Sequence, residues 1–279
     1  MANNLLRFSL YHRCTHFLLI ISFFGLVLTG MPLVFKDYGW SLYLYNKLGG
    51  YPTAGYIHRI CALITFFVAF LHFAFLSFEA VMKKNGRLFW GPDSLIIQPR
   101  DILNIIGDIL WFFRLGPRPK FDRWIYWEKF EYLSLIWGTL VMGVTGFILW
   151  FPVQSVNIMP AGLVNIVDLP SIALIAHRYE AILAAGFIFT IHFFHTHLLP
   201  EKLPVDEAMF TGKVLEEEVL HERGSYYERL KKEEQLEESK INPPSARASF
   251  VSKLFGIPIL VIGLLMVSFM LSSLICSLI

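Results

Sequence analysis

The stretch YIHRICALITFFVAFLH at residues 56–72 is almost wholly apolar, yet a histidine lies near each end, His58 and His72. A histidine in hydrocarbon is costly and marks a functional site by default. At about 1.5 Å per helical residue, these two side chains lie roughly 21 Å apart along a helix. That distance is most of a bilayer core of about 30 Å. The stretch therefore predicts a membrane-spanning helix with one imidazole near each face.

A second stretch repeats this pattern, AHRYEAILAAGFIFTIH at residues 176–192, with His177 and His192. In both stretches the first histidine is followed directly by arginine, an alanine stands three residues after the arginine, and mostly apolar sequence continues to the second histidine. Two such helices side by side predict two stacked sites, each between a pair of imidazoles.

The composition predicts a polytopic membrane protein. Hydrophobic residues make up 55% of the 279 residues and charged residues 16%, whereas soluble domains carry about 25% charged residues. The first apolar run lacks a small-residue cleavage site, so we expect it to remain as a span. We predict an all-α helical bundle with a four-helix core in residues 1–200, a polar cytoplasmic segment at 201–249 and a fifth helix at 250–279. The four core spans are predicted at about residues 14–33, 54–82, 130–150 and 172–198.

The distribution of Lys and Arg predicts the orientation. These residues collect before the first span, in loop 83–130 and in segment 200–253, and are nearly absent from loops 34–54 and 152–172. The positive-inside rule then puts the N-terminus in the cytoplasm and the C-terminus outside, in a bacterial inner membrane.

With this orientation, His58 and His177 lie near the outer face, and His72 and His192 lie near the inner face.

Two polar segments carry further patterns. Residues 101–114 have amphipathic spacing and predict a helix in the membrane interface. Residues 214–238 are rich in Glu, Lys, Arg and Leu and predict a solvated helix.

Histidine pairs at matching depth predict two b-type haems, because such a haem takes its axial ligands from facing helices. The three cysteines form no Cys-x-x-Cys-His motif, so histidine alone would hold the iron. Arg59 and Arg178 follow the outer histidines, and a guanidinium suits an anionic haem propionate. Taken singly, an intramembrane histidine is also explained as a polar contact between helices, and an arginine as an interfacial residue with its charge in water.

The inner site has three candidate ligands. His192 is common to both possible pairings, and His16, near the inner end of the first span, rivals His72 as its partner. His195 is a weaker candidate for a third haem. Quinone chemistry also needs a group that passes protons, and the candidates are Glu128, Glu131 and Glu180. For Glu128 and Glu131, the competing interpretation is a charged helix start close to water.

Six stretches together resemble a known family. They are HRCTHF at 12–17, LTGMPL at 28–33, IHR at 57–59, FDRWIYWEKF at 121–130, GFILWFP at 146–152 and GFIFTIHFFHTH at 186–197. Over residues 7–213 the chain resembles the membrane di-haem cytochrome b subunits of bacterial respiratory oxidoreductases. That family includes the subunits of formate dehydrogenase and nickel-iron hydrogenase, and those encoded with multihaem c-type cytochromes.

The resemblance implies ligands at His16, His58, His177 and His192. The alternative set, in which His58 and His72 lie on one helix and His177 and His192 on another, is similar instead to the cytochrome b of quinol:cytochrome c complexes. Either resemblance implies two haems b and exchange with menaquinone or ubiquinone. The expected partner is a c-type cytochrome or iron-sulfur subunit on the outer side, with no nucleic acid. The alternatives are a stand-alone transmembrane reductase of iron or another small acceptor, and a haem-free membrane anchor.

The ligand assignment predicts that His192→Ala removes the inner haem, because this residue belongs to both possible inner pairings. The haem content of the purified variant should fall to about half that of the wild type, since one of two bis-histidine sites is lost. A variant that keeps both haems in full would show that the inner assignment is wrong.

Overall fold

The computed structural model describes residues 4–82, 84, 86–158, 160 and 168–278. Its helices are α1 (Leu10–Val34), α2 (Gly39–Lys47), α3 (Gly50–Val81), α4 (Pro99–Phe112), α5 (Tyr126–Trp150), α6 (Pro152–Asn157), α7 (Leu169–Phe187), α8 (Ala208–Thr211), α9 (Glu216–Glu222), α10 (Gly224–Lys232), α11 (Leu236–Ser239) and α12 (Ala246–Cys276). The strands are β1 (Asn4–Leu6), β2 (Lys213–Leu215) and β3 (Lys240–Ile241). Beyond α7 the chain stays helical but widens to π-helical turns at Ile188–His192 and Phe194–Leu198.

Five helices are long and apolar enough to cross a membrane: α1, α3, α5, α12, and α7 together with its π-helical continuation. Each overlaps one of the five predicted spans, so the all-α polytopic fold is confirmed. Their outward faces carry large apolar side chains, such as Phe67 and Phe70, at 55% and 67% exposure. Apolar surface of this extent belongs in hydrocarbon rather than in water. The chain is a multi-pass membrane protein.

The chain folds as two compact units. The first unit consists of residues 1–16, 70–134 and 205–255, and the second of residues 17–69, 135–204 and 256–279. Lys83, residues 159 and 161–167 of loop 152–172 and the last residue of the predicted fifth span lie outside the described residues.

In the first unit, a small antiparallel sheet joins the chain's beginning to its polar segment. β1 is the central strand and pairs with β2 on one side and β3 on the other. Four of the membrane-length helices separate β1 from β2 along the chain. Paired strands lie on the same side of a membrane, so an even number of crossings must separate them. Four crossings between β1 and β2 meet this requirement.

The prediction of one solvated helix at 214–238 is wrong. The segment instead contains most of β2 followed by α9, α10 and α11. Its apolar side chains, spaced too irregularly for one helix face, fold inward over Leu5 of β1 and form a small buried core. The members of this core are Leu5, Val214, Val219, Leu230 and Leu236.

A fully buried ion pair fixes α4 against the start of α5. The Lys129 ammonium donates to both carboxylate oxygens of Asp101, at 2.9 and 2.8 Å, and both residues are at most 2% exposed. Asp101 also accepts the backbone N–H of Gln98 and so caps α4. The predicted helix at 101–114 is confirmed as α4, and its apolar residues Ile102 and Leu103 are exposed.

Glu128, which is half-buried, is a second anchor of the first unit. Its carboxylate pairs with Arg7 at 3.3 Å and Arg223 at 3.0 Å, and it accepts the N–H of Ile125 at 2.7 Å. Burial lowers the pKa of Arg7 to about 10, and Arg223 adds to this shift. Burial also acts to lower the pKa of Arg223, but the carboxylates of Glu128 and Glu222 outweigh it and raise the pKa. Glu128 thus ties the N-terminal segment to the polar segment.

In the second unit, α1, α7 with its continuation, and α12 share one apolar core. Met31 of α1, Phe189 and Phe193 lie in it together with Met270 of α12. A methyl group at Gly263 of α12 would come within 2.5 Å of the Phe193 ring, so this glycine allows the close approach of the helices. The fifth span is therefore part of the bundle core.

The loop predicted at 34–54 contains the helix α2. Residues just before and within α2 pack on α12, where the Tyr38 hydroxyl donates to the Ser273 carbonyl at 2.6 Å. Trp40 Nε1 donates to the Ser273 hydroxyl at 3.0 Å, and the Trp40 ring stacks on Phe269. The aromatic residues of this segment are thus used in packing.

The Lys129→Met variant should be destabilised by about 3–5 kcal/mol, because it leaves the Asp101 carboxylate buried without its counter-charge. Unfolding of the detergent-solubilised protein by a denaturing surfactant measures this loss. Lys253→Met is the matched control. The Lys253 side chain is 45% exposed and pairs with Glu207 at 3.5 Å, so its removal should cost no more than about 1 kcal/mol. Equal losses in the two variants would contradict the prediction.

Candidate functional site

Two of the predicted histidines meet in the second unit. The ring centroids of His58 on α3 and His177 on α7 lie 6.3 Å apart, with 58° between the ring planes. Both side chains are half-buried. These are the two residues predicted to share a site near the outer face, and they come from separate helices, as the repeat suggests.

Each imidazole is held by a threonine of a neighbouring helix. His58 Nδ1 lies 2.8 Å from Thr29 Oγ1 of α1, and His177 Nδ1 lies 2.9 Å from Thr145 Oγ1 of α5. The threonine hydroxyls also donate to carbonyls one turn earlier in their own helices, Gly25 at 2.6 Å and Val141 at 2.7 Å.

These contacts fix the tautomer of both rings. A hydroxyl has one hydrogen, and each threonine uses it for a backbone carbonyl. With the hydroxyl hydrogen on the carbonyl, the threonine oxygen accepts and the imidazole Nδ1–H donates. In a neutral imidazole the other nitrogen, Nε2, then carries the free lone pair. Both histidines thus present Nε2 as a potential metal ligand, and the hydrogen bond at Nδ1 orients the ring.

A glycine follows each threonine and lets the imidazole come close. A methyl group at Gly30 would lie 3.2 Å from His58 Cε1, and one at Gly146 would lie 3.4 Å from His177 Cε1. The site is thus built twice from one pattern, a Thr-Gly pair on one helix and a histidine on the next. The sequence signal for this pattern was the repeat of Thr-Gly at 29–30 and 145–146, and the predicted site did not include these residues.

Further contacts hold the helices that carry these groups. The hydroxyl of the fully buried Tyr45 in α2 donates to the Thr29 carbonyl at 3.1 Å, and burial together with Tyr51 raises the pKa of Tyr45 to about 12. Asp168 caps α7 by accepting the Ser171 N–H at 3.2 Å, and hydrogen bonds from Ser171 lower the pKa of Asp168. These contacts stabilise the starting turn of α7 and the part of α1 around Thr29.

Two glycines of α5 allow close approach of neighbouring helices. A methyl group at Gly143 would come within 2.8 Å of the Phe66 ring of α3, and one at Gly138 would lie 3.3 Å from Glu180 Oε1 of α7. Glu180, a predicted proton carrier, is half-buried against this glycine. Helix α5 is thereby packed between the two histidine-bearing helices.

The predicted propionate arginines occupy the exposed side of the same helices. The Arg59 guanidinium lies over the Trp150 ring, 5.3 Å from its centroid. Arg178 is exposed and donates to the Val34 carbonyl at 3.3 Å. A bond of that length is weak, so the Arg178 guanidinium can exchange this acceptor for a stronger anionic one.

The predicted inner residues are distributed over both units. His16 and His72 belong to the first unit, and His192 belongs to the second, where it ends the first π-helical segment. All three side chains are half-buried. Such π-helical segments are frequent at functional sites. His72 Nε2 forms a hydrogen bond with the Tyr132 hydroxyl, and Glu131, the neighbour of Tyr132, is also half-buried.

The separation of the His58 and His177 rings can be compared with that of two imidazoles that hold one metal ion in a planar macrocycle. Among the described residues, no group of three or more His, Cys, Asp or Glu side chains is arranged to hold a metal ion. Two imidazoles suffice, however, where a macrocycle supplies the remaining ligands. Metal–imidazole bonds of about 2.0–2.1 Å on opposite sides of one ion, with each ring centre roughly 1 Å behind its nitrogen, give centroids about 6 Å apart. The observed separation of 6.3 Å agrees with this value.

No model of a known protein family matches the sequence, and no curated protein matches it.

The tautomer assignment predicts that His58 and His177 are both protonated at Nδ1, which nitrogen-15 spectra of histidine-labelled protein report. In Thr145→Val the Nδ1–H of His177 loses its acceptor, so in metal-free protein His177 should lose this preference while His58 keeps it. Thr65→Val is the matched control, because the Thr65 hydroxyl bonds to Ser22 and to the Cys61 carbonyl. Nε2 protonation of both rings in the wild type would refute the assignment.

Proposed function

We propose that the protein is a membrane cytochrome b that carries electrons across the bilayer, and that His58 and His177 are the axial ligands of its outer haem. The observation that carries this proposal is the imidazole pair on α3 and α7, with each Nδ1 bound to a threonine and each Nε2 left as a ligand. Haem iron held by two imidazoles supplies one-electron transfer at a potential that the surroundings adjust.

The residues around the pair have separate tasks. Thr29 and Thr145 hold the ligand rings in orientation and increase the basicity of Nε2 by accepting the Nδ1 hydrogen. Gly30 and Gly146 leave room for the rings. Arg59 and Arg178 supply positive charge on the exposed side of the ligand helices, where a carboxylate group of a bound macrocycle finds partners of opposite charge.

A second haem completes a path between the two faces. We assign His192 to it, with either His16 or His72 as the other ligand, as the sequence predicts. Electrons then pass between a quinone, menaquinone or ubiquinone, and partner subunits of a membrane redox complex on the outer side. The acids available to pass protons are Glu131 and Glu180. Glu128, which is held by two arginines, serves as an anchor instead.

The proposed setting is the inner membrane of a bacterium, with the N-terminus in the cytoplasm and the C-terminus outside. The exposed apolar residues of α4 then lie in the cytoplasmic interface of the bilayer. Asp101 and Lys129 hold this helix to the start of α5.

The test is the reduced-minus-oxidised absorption spectrum of the purified full-length protein together with its haem content. The wild type should show the bands of b-type haem, and His177→Ala should lose about half of the haem, because one of two bis-histidine sites is destroyed. His221→Ala is the control, since this residue is exposed in α9, and it should keep all of the haem. A wild-type protein purified from haem-replete cells without b-type bands would overturn the proposal.

A further inference from the structure

We propose that His72 and Tyr132 form the polar end of a binding site for a quinone headgroup, an inference that rests on the proposed function and names where its quinone binds. His72 of α3 and Tyr132 of α5 both belong to the first unit. His72 Nε2 lies 2.8 Å from the Tyr132 hydroxyl oxygen, and the two ring centroids are 5.5 Å apart. This hydrogen bond joins two half-buried side chains on separate spans.

The pair can recognise both redox forms of the ligand without changing its charge. When the imidazole hydrogen is on Nε2, it donates to the tyrosine oxygen, and the tyrosine hydroxyl hydrogen is left for a quinone carbonyl. When it is on Nδ1, the tyrosine donates to Nε2, and the tyrosine oxygen still accepts from a quinol hydroxyl. One tautomeric change of His72 thus converts a donor for quinone into an acceptor for quinol.

The surroundings of the pair suit a flat ring with an apolar tail. Phe73, Phe130 and Leu133 flank it in sequence and are 50–53% exposed, which in a membrane means exposed to lipid. The Phe73 ring packs against His72 with centroids 5.8 Å apart. A quinone dissolved in the bilayer can therefore approach along an apolar surface and meet a hydrogen-bonding group at its end.

Helix α1 supplies an aromatic wall one turn along α3. The Tyr11 ring stacks on Phe75 of α3 with centroids 4.6 Å apart and 20° between the planes. The Tyr11 hydroxyl donates to the Leu71 carbonyl at 2.8 Å and so holds the wall beside His72. Stacked aromatic rings are a favourable surface for another planar ring.

The same hydrogen bond bears on the choice of inner haem ligand. Nε2 of His72 is engaged with Tyr132, so the nitrogen that would bind iron already has a partner. With His72 assigned to the quinone, His16 remains as the predicted partner of His192. The second ligand of the inner haem and the quinone site are thereby assigned to different residues.

The test measures binding of decylubiquinone and of a menaquinone analogue with one isoprenoid unit to the full-length protein in nanodiscs, by calorimetric titration. Tyr132→Phe keeps the ring and removes the hydroxyl, and it should weaken binding about five- to tenfold, the effect of one lost hydrogen bond. Tyr126→Phe is the matched control on the same helix. Its hydroxyl donates to Asp108, so its loss should leave quinone affinity unchanged. Equal affinities of Tyr132→Phe and wild type, or a wild type that binds neither quinone, would overturn the site.

The haem content of the same preparations separates this inference from the proposed function. His72→Gln should weaken quinone binding and keep the full haem content of the wild type. Loss of a haem in His72→Gln would overturn the inference, because His72 would then be an iron ligand. A wild type that contains no haem but loses quinone affinity on Tyr132→Phe would refute the cytochrome function and support the quinone site.

Discussion

A polar side chain inside a bilayer must find its partners within the protein, and this constraint organises the second unit. An imidazole has two nitrogens to satisfy, and at His58 and His177 a threonine hydroxyl satisfies one of them. The threonine can do this only because its own hydrogen is already bonded to the carbonyl one turn earlier. Nδ1 is thereby used, which leaves Nε2 of each ring as the nitrogen that can serve as a ligand.

Helix spacing follows from the same constraint. The threonine oxygens reach the imidazoles because glycine stands beside them, and the Gly25, Gly143 and Gly146 backbones lie against side chains of neighbouring spans. Small residues let membrane helices approach closely where no hydrophobic effect drives them together. A larger side chain at Gly146 would push the ring of His177 away from Thr145, so packing and site geometry depend on the same few positions.

The sequence predicted what depends on a local pattern. The five spans follow from length and composition, and the meeting of His58 and His177 follows from matching depth in two similar stretches. The partners Thr29 and Thr145 were missed, because threonine is unremarkable in a membrane helix and only the three-dimensional contact shows what it binds. The buried pair of Lys129 with Asp101 was missed for the same reason, since these two residues are 28 positions apart. The small sheet was missed because its strands have only two or three residues, too few to form a recognisable alternation.

The central position of β1 has a consequence for the order of assembly. Residues 4–6 are synthesised before the first span, but the strands on either side of them are residues 213–215 and 240–241. At about 5–20 residues per second, translation reaches those strands roughly 10–50 s later. Throughout that interval four spans are inserted while the first strand stays unpaired. The sheet therefore closes only after the first four spans have been made, and its closure joins the start of the chain to the segment that follows them.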